Sequence, residues 1–256
     1  GFFPKIKFIL VDPNPFSLLI DGVSHTKHAN PAILSLDPNN STNWMPIIIE
    51  SNQKIFLIQG LFTNASAKLF SSLPNLAFIS DIRTNADEDR PTDLDLLWNS
   101  AVQFNWINIM KPFAYMLKFR PPFYNDSSVV AKTSQIADFT LAKRHGIDFI
   151  ADYVACQPSI NDSHAKRPKR IFRYLSGDIH IQAFAGKSSS ETRLINYHAK
   201  NHTIVSYDST EYENRMFYYN TIDRSWQRHI NDNANPSIGF DQCNDCAIEN
   251  DSWVNY

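Results

Sequence analysis

The chain has 256 residues, of which 43% are hydrophobic and 20% are charged, as in ordinary soluble globular proteins. Its formal net charge of −2 excludes a globally basic nucleic-acid coat but leaves room for a local basic groove. Three cysteines do not make a disulfide framework and favour a reducing compartment. The single C-x-x-C pair, Cys243 and Cys246, is weak evidence for zinc, so no metal site is predicted. No run approaches the ~20 apolar residues of a membrane span, so no membrane partner is expected.

The first third of the chain alternates apolar runs with turns. Strand-like runs are predicted at 6–11, 55–62 and 75–80, a polar loop at 24–46, and a short helix at 63–73 that ends before Pro74. The first run is followed by Asp12 and a Pro-Asn-Pro turn, and the third by Asp81. A strand that ends on a carboxylate needs a partner for that charge or a use for it.

The clearest helix pattern begins after Thr92. Thr92 can serve as the N-cap, with Asp95 three residues later in a capping-box position, and apolar residues then recur at helical spacing to Trp106. A strand follows over 111–119 and carries Lys118 near its end.

The second half of the chain has a less regular pattern of apolar and polar residues. A helix is expected from Ser134 to His145, stopped by Gly146, with otherwise polar sequence up to the basic run 166–173. Strands are then expected at 170–175, 179–185 and 191–197, followed by a helix over 209–222 with Ser209 as its cap. The basic run predicts either a contact with an RNA backbone or a solvated, localisation-signal-like loop.

Strands that alternate with helices predict an α/β domain with a partly parallel sheet. In such sheets ligands bind beyond the carboxyl ends of the strands. Because Asp12, Asp81 and Lys118 each fall where an apolar run ends, we expect them to converge at one edge of the sheet. The alternative is that they are simply exposed strand ends.

Four spaced motifs then carry a resemblance. S-D-x-R at 80–83, K-F-R-x-P-F at 118–123, E-x-R-L at 191–194 and Y-E-x-x-M at 212–216 occur in this order. In combination they resemble the poxviral cap-specific mRNA (nucleoside-2′-O-)methyltransferases, which double as processivity subunits of the viral poly(A) polymerase. These belong to the FtsJ-like RNA methyltransferases of large DNA viruses, African swine fever virus included. The similarity covers most of residues 5–222, apart from an apparent insertion at about 127–168.

The resemblance implies a catalytic set. The family uses a Lys-Asp-Lys-Glu tetrad to methylate a ribose 2′-hydroxyl of capped RNA, and Asp81, Lys118 and Glu191 match three of its members. Lys118 would be the general base or the group that orients the hydroxyl, which fits the need to activate a poor nucleophile. The alternatives are a solvated lysine and a surface acid.

The cofactor implied by the resemblance is S-adenosylmethionine. Asp12 matches an acid that accepts hydrogen bonds from the cofactor ribose, and Asp81 also lies at the cofactor site. Leu61 and Phe62 match positions that line the adenine pocket. From the residues alone, Asp12 could equally start an Asp-Pro turn, and Leu61 and Phe62 could belong to the core.

Capped mRNA is the implied substrate. Phe123 matches a ring that stacks on the methylated guanine, and Glu213 matches an acid that reads its edge. Asn125 stands where the family has a second acid, a departure that removes a carboxylate acceptor. Arg83 and Arg193 are candidates for contacts with RNA phosphates.

The implied fold is a Rossmann-like methyltransferase sheet with helices on both faces. The family has a first strand, a Gly-rich loop and the first tetrad lysine upstream of the segment that matches 6–12, and the chain contains none of these. A doubly wound sheet that lacks its first strand would have a gap in its core, so we expect these residues to be part of a longer protein. The domain is expected over 1–226, with a C-terminal extension at 227–256.

Two functions compete at this point. The first is a methyltransferase that acts on the 2′-hydroxyl of capped viral mRNA. The alternative is a catalytically inactive relative retained as an RNA-binding or poly(A) polymerase accessory subunit. A nicotinamide-dependent oxidoreductase has little support beyond Asp12. A viral poly(A) polymerase or another transcription subunit is an expected partner, and the expected location is the viral factory in the host cytoplasm or the virion.

Overall fold

The computed structural model is a mixed α/β protein that divides into two compact units, Gly1–Leu73 and Pro74–Tyr256. The structure describes residues 6–14, 16–20, 23–27, 47–48, 55–84, 91–124, 129, 136–156, 170–182, 189–198 and 202–223. The Cys243–Cys246 pair and the predicted extension at 227–256 lie outside these residues. The expectation of one domain over 1–226 stays a prediction.

The first unit is built around a small mixed sheet. The strands of this unit are β1 (Phe8–Asp12), β2 (Phe16–Ile20), β3 (Val23–Lys27), β4 (Ile47–Ile48) and β5 (Ile55–Gln59), of which β1, β4 and β5 form the mixed sheet. β1 pairs in parallel with β5, and β4 pairs antiparallel with the other side of β5. Helix α1 (Asn64–Phe70) follows, and Thr63 and Ser66 form the capping box at its start.

The predicted polar loop at 24–46 is wrong at its start. β2 and β3 form an antiparallel hairpin, so the first residues of that stretch lie in a strand. The sequence between these strands is Asp21-Gly22, the pair typical of two-residue hairpin turns. The polar composition of "SHTK" concealed the strand, although the turn signal was present.

The second unit contains a four-stranded mixed sheet in the order β6-β7-β10-β9 and a separate two-stranded ladder of β8 and β11. The strands are β6 (Ala77–Ser80), β7 (Ala114–Phe119), β8 (Ile171–Leu175), β9 (Asp178–Ile181), β10 (Thr192–Asn196) and β11 (Ile204–Asp208). β6 and β7 run in parallel, whereas β10 is antiparallel to both β7 and β9. β11 is a strand that the sequence patterns did not predict.

Helix α2 (Asp93–Met110) connects β6 to β7 and begins as predicted. The Thr92 hydroxyl accepts a hydrogen bond from the Asp95 backbone N–H, and the Asp95 carboxylate accepts one from the Thr92 N–H. α2 ends at Lys111, which adopts a left-handed conformation with φ 48°. Most of α2 is buried, including polar residues such as Asn105, so it forms the centre of this unit rather than a surface helix.

The segment predicted as an insertion contributes to the core of this unit. Helix α3 (Ala137–Arg144) lies within the predicted helix and is followed by Gly146 at φ 103°. A second helix, α4 (Phe149–Ala155), begins after the cap residue Asp148 where only polar sequence was expected. The Trp98 indole N–H of α2 donates to Asp138 of α3 at 3.0 Å.

The last helix, α5 (Ser209–Tyr218), continues into a π-helical turn at Tyr219–Asp223. Its cap is Asp208 rather than the predicted Ser209: the Asp208 carboxylate accepts from the N–H groups of Thr210 and Glu211 at 3.0 and 3.1 Å. Asp208 also ends β11, so one carboxylate both terminates a strand and starts a helix. None of the helices in the described residues is long and apolar enough to cross a membrane.

Candidate functional site

Three strands of the second unit bring three charged residues into one lateral row. Ser80 of β6 lies opposite Leu117 of β7, so the next residues, Asp81 and Lys118, are neighbours where the parallel strands end. β10 runs the opposite way and places Arg193 directly opposite Lys118. The row Asp81–Lys118–Arg193 follows from this register, because side chains of laterally paired residues share a face of the sheet.

The alternation along β7 explains why Lys118 is kept at this face. Leu117 and Phe119 are buried on the other face of the sheet, so Lys118 between them must point away from that core. Phe119 packs against the rings of Tyr174 and Tyr207 and thereby fixes the strand. The lysine side chain is nevertheless only 15% exposed.

Lys118 is held between two carboxylates. Its Nζ lies 3.1 Å from Asp81 Oδ1 and 3.2 Å from Glu191 Oε2. Glu191 directly precedes β10, and its side chain is 21% exposed, against 62% for Asp81. The three residues predicted as catalytic therefore meet in one cluster, although their catalytic role itself remains a prediction.

Two arginines complete this cluster, which we call the charged cluster: Asp81, Arg83, Lys118, Glu191 and Arg193. Arg83 donates to Glu191 Oε1, and Arg193 Nη2 donates to Asp81 Oδ1 at 2.9 Å, the same oxygen that Lys118 contacts. Burial lowers the pKa of Arg83 despite the opposing effect of Glu191. Each acid thus binds two cations, and the two arginines predicted to contact phosphates also hold the two acids in place.

A second group of residues surrounds Phe123, beyond the end of β7. The Phe123 backbone N–H donates to Asp93 Oδ1 at 2.9 Å, and its carbonyl accepts from Arg170 Nη1 at 2.9 Å. The same Arg170 nitrogen lies 3.4 Å from Glu213 Oε1. Arg170 therefore binds both the backbone carbonyl of Phe123 and the carboxylate of Glu213, the two residues predicted to contact the cap base.

The environment of Glu213 is partly desolvated. Burial raises its pKa, and Asp93 adds to this, while Arg170 and Arg120 oppose it. A carboxylate that is partly removed from water is suited to accept hydrogen bonds from a ligand, because few water molecules compete for its oxygens.

Other predicted cap residues are only partly accounted for. Asn125 lies outside the described residues. Of the basic run, Arg170 pairs with Glu213, and Arg173 lies 3.5 Å from Asp152 of α4. Both of these arginines take part in intramolecular ion pairs, so at 170–173 the run is part of β8 and its flank rather than a loop.

Of the residues predicted to bind the cofactor, Asp12, Leu61 and Phe62 lie in the first unit, whereas Asp81 lies in the second. Asp12 ends β1 and is exposed, and its Oδ1 accepts from the Asn14 N–H at 2.7 Å, so it does start a turn. The carboxylate retains acceptor capacity beyond this bond. Leu61 is 68% exposed and is therefore not a core residue, whereas Phe62 is half-buried and stacks on Phe70 at 6.0 Å between ring centroids.

Sequence patterns alone missed three residues that organise the second unit near Phe123. Asp93 is buried and accepts hydrogen bonds from Phe123 and from Tyr153 of α4. Arg120 lies over the Phe123 ring at 4.3 Å, and Arg170 bridges two predicted cap residues. The only signal was that Arg120 falls within the K-F-R-x-P-F motif; the other two partnerships join residues distant in sequence.

Comparison with known families bears on this arrangement. Residues 43–135 match the model of the family described as "Poly A polymerase regulatory subunit". This range contains β6, α2 and β7, and therefore Asp81, Lys118 and Phe123. The chain is thus a mixed α/β protein, and one segment of it is similar to poly(A) polymerase regulatory subunits.

Individual relatives extend the comparison. The chain is 27% identical over 151 residues to the "Cap-specific mRNA (nucleoside-2'-O-)-methyltransferase" of Myxoma virus (strain Lausanne), which covers 57% of the chain and 32% of the relative. It is 29% identical over 150 residues to the protein of the same name from Fowlpox virus (strain NVSL), covering 57% and 35%. The chain spans about a third of the length of these relatives. The resemblance to poxviral cap methyltransferases predicted from the motifs is confirmed at the level of the family.

Proposed function

We propose that the chain forms part of an S-adenosylmethionine-dependent methyltransferase that modifies the ribose 2′-hydroxyl of capped viral mRNA. The observation that carries this proposal is the position of Lys118 Nζ between Asp81 and Glu191. The names of the Myxoma and Fowlpox virus relatives support the reaction class. A Rossmann-like arrangement of the whole sheet is part of the proposal.

The geometry of Lys118 suits the handling of a hydroxyl. A lysine ammonium has three N–H donors. Two of them are directed to the carboxylates, which fixes Nζ and directs the third to the substrate 2′-oxygen. Lys118 would then orient this oxygen for attack on the methyl group; as the O–C bond forms and the C–S bond of the cofactor breaks, the hydroxyl proton would leave to water, so that positioning supplies much of the rate.

Residues of the first unit have the chemistry needed for the cofactor. Asp12 offers an exposed carboxylate suited to ribose hydroxyls, and Leu61 and Phe62 offer apolar surface suited to adenine. S-adenosylmethionine would supply an electrophilic methyl group. Phe123 and Glu213 would hold the methylated guanine by stacking and by accepting hydrogen bonds, with Arg170 keeping the two in register.

The test uses the full-length protein, labelled S-adenosylmethionine and capped RNA whose first ribose is unmethylated. Lys118→Ala should reduce methyl transfer by roughly 10²–10⁴-fold while RNA binding is retained. Lys68→Ala, which removes an exposed lysine of α1, is the matched control and should transfer at the wild-type rate. Equal transfer by Lys118→Ala and wild type would contradict the role of Lys118.

A second function is favoured by the family match itself. The matched model describes a poly(A) polymerase regulatory subunit, so the chain is alternatively an RNA-binding accessory of a viral poly(A) polymerase without methyl transfer of its own. Intact RNA binding together with no transfer by the wild-type protein would favour this function and exclude the enzyme. Either function would place the protein in the viral factory or the virion.

A further inference from the structure

The main chain of β7 at Lys118 lies beyond the end of its pairing with β6. The ladder between these strands ends at the pair Ser80 and Leu117, one residue before Lys118. The Lys118 carbonyl accepts a hydrogen bond from Gln103 Nε2 of α2 at 3.2 Å. Because backbone carbonyls inside a protein need a donor, the Gln103 amide takes the place of a rung of the sheet at the lysine proposed to orient the substrate hydroxyl.

Gln103 is an unusual residue for its position. It lies in the middle of α2 and is 1% exposed. Its Oε1 is also buried and has no hydrogen-bond partner within the residues that the structure describes. Burying an amide with one group unsatisfied is unfavourable, and an apolar side chain of similar length, such as Met, would avoid that cost. The bond to Lys118 is therefore the contact that explains an amide at this position.

α2 contacts the chain beyond β6 in the same way. Asn99 lies one turn before Gln103, so the two amides share a face of the helix. Asn99 is 4% exposed, and its Oδ1 accepts from Thr84 Oγ1 at 3.2 Å. Thr84 directly follows Arg83, which donates to Glu191. Two buried amides of one helix thus hold the chain at the two places where it supplies residues of the charged cluster from β6 and β7.

We propose that Gln103 is a positioning residue for methyl transfer, which sets the place of Lys118 Nζ by fixing the Lys118 main chain to α2. The ion pairs with Asp81 and Glu191 orient the end of the lysine side chain, whereas the bond from Gln103 fixes its base. Both must be held, because a small displacement of a group that acts on the reacting atoms lowers the rate steeply. This role rests on the proposed function for the reaction, but the contact with Lys118 does not depend on it.

Two nearly isosteric substitutions in α2 test this role in the full-length protein. Gln103→Met removes the donor to Lys118. Asn105→Leu is the matched control: Asn105 is 0% exposed, its Nδ2 donates to the Asp138 carbonyl of α3 at 3.0 Å, and its Oδ1 likewise has no partner among the described residues. The two variants therefore lose the same kind of bond from the same buried helix, but only one of them loses it at Lys118.

The two variants should differ in turnover rather than in stability. Gln103→Met should lower kcat for methyl transfer by about 10–100-fold, while KM for S-adenosylmethionine and for capped RNA stays within about twofold of wild type. Asn105→Leu should lower Tm by a similar amount but leave kcat within about twofold. A second readout needs no turnover: in protein with ¹⁵N-labelled lysine, the ammonium signal of Lys118, assigned with Lys118→Arg, should shift in Gln103→Met and stay unchanged in Asn105→Leu.

Gln103→Asn is the second variant, in case Gln103→Met does not fold. It keeps an amide but shortens the side chain by one methylene, so it should show the same pattern with a smaller loss of kcat. Equal losses of kcat on substitution of Gln103 and of Asn105 would show that Gln103 only stabilises α2. An unchanged kcat in an active protein, or an unchanged Lys118 signal, would also overturn the role. If the wild-type protein transferred no methyl group but the Lys118 signal shifted only on substitution of Gln103, Gln103 would still position Lys118 and the methyltransferase function would fail.

Discussion

At the scale of single residues, the two acids of the charged cluster differ in their surroundings. Glu191 is largely shielded and pairs with Arg83 and Lys118, two cations that are themselves mostly buried. Asp81 is 62% exposed, so water screens its contacts with Lys118 and Arg193. The contacts of Glu191 with its two cations should therefore contribute more to the stability of the protein than the contacts of Asp81.

Isosteric substitutions should separate these contributions. Glu191→Gln removes a charge from partly buried partners and should lower the free energy of unfolding by roughly 1–3 kcal/mol. Asp81→Asn should change it by less than about 1 kcal/mol, because exposed ion pairs contribute little. Urea unfolding of the two variants measures the difference, and methyl transfer should fall in both because each acid positions Lys118. Equal losses of stability would contradict a larger contribution from the more buried Glu191.

The meeting of Asp81 and Lys118 was predictable from sequence because consecutive parallel strands end at the same edge. Glu191 was predicted as a site residue only from the family resemblance, because no local sequence pattern distinguishes a functional acid before a strand from a surface acid. The contact of Arg193 with Asp81 could not be foreseen, because it depends on β10 pairing antiparallel with β7 in one particular register. Arg120 and Arg170 likewise depend on contacts that local pattern does not encode.

At the scale of elements, α4 has more structural importance than its sequence suggested. Phe149 at its start is 2% exposed and contacts the rings of Phe104, Phe172 and Tyr174. These partners belong to α2 and β8, so α4 joins the central helix to the two-stranded ladder. A segment with these contacts is part of the core of the second unit.

Truncation of Phe149 should test this conclusion. Phe149→Ala should lower the free energy of unfolding by about 3–5 kcal/mol, since it removes a buried ring from a close-packed group. Val154→Ala in the same helix is the matched control: Val154 is 44% exposed, and the change should remain within about 0.5 kcal/mol. Thermal or denaturant unfolding measures both. A small loss for Phe149→Ala would show that α4 is peripheral to this unit.

The elements were predictable where local signals agreed with the tertiary structure. The start of α2 was predicted correctly because its capping box is encoded within four residues. α4 was missed although Asp148 offered a cap signal, because its seven residues are too few to establish a helical period. The cap of α5 was predicted one residue too late, at Ser209 instead of Asp208, because the sequence did not reveal β11, which ends at Asp208.

At the scale of the whole molecule, the proposed chemistry is distributed over both compact units. Asp12, Leu61 and Phe62, proposed for the methyl donor, lie in Gly1–Leu73, whereas Asp81 and the residues proposed for RNA lie in Pro74–Tyr256. With a net charge of −2, the chain has no general attraction for RNA, so the proposed RNA binding would depend on local groups such as the charged cluster. Cofactor binding can therefore be tested separately from RNA binding.

S-adenosylmethionine at a hundredfold excess over its Kd should stabilise the full-length protein by about 2.7 kcal/mol, which corresponds to a rise in Tm of roughly 5–10 °C. Asp12→Asn retains an oxygen that can accept from the Asn14 N–H but loses the charge, so it should need more cofactor for the same rise. RNA binding should be equal in both proteins. An equal rise would contradict the role of Asp12, and no rise in the wild type, with RNA bound normally, would favour the accessory subunit over the enzyme.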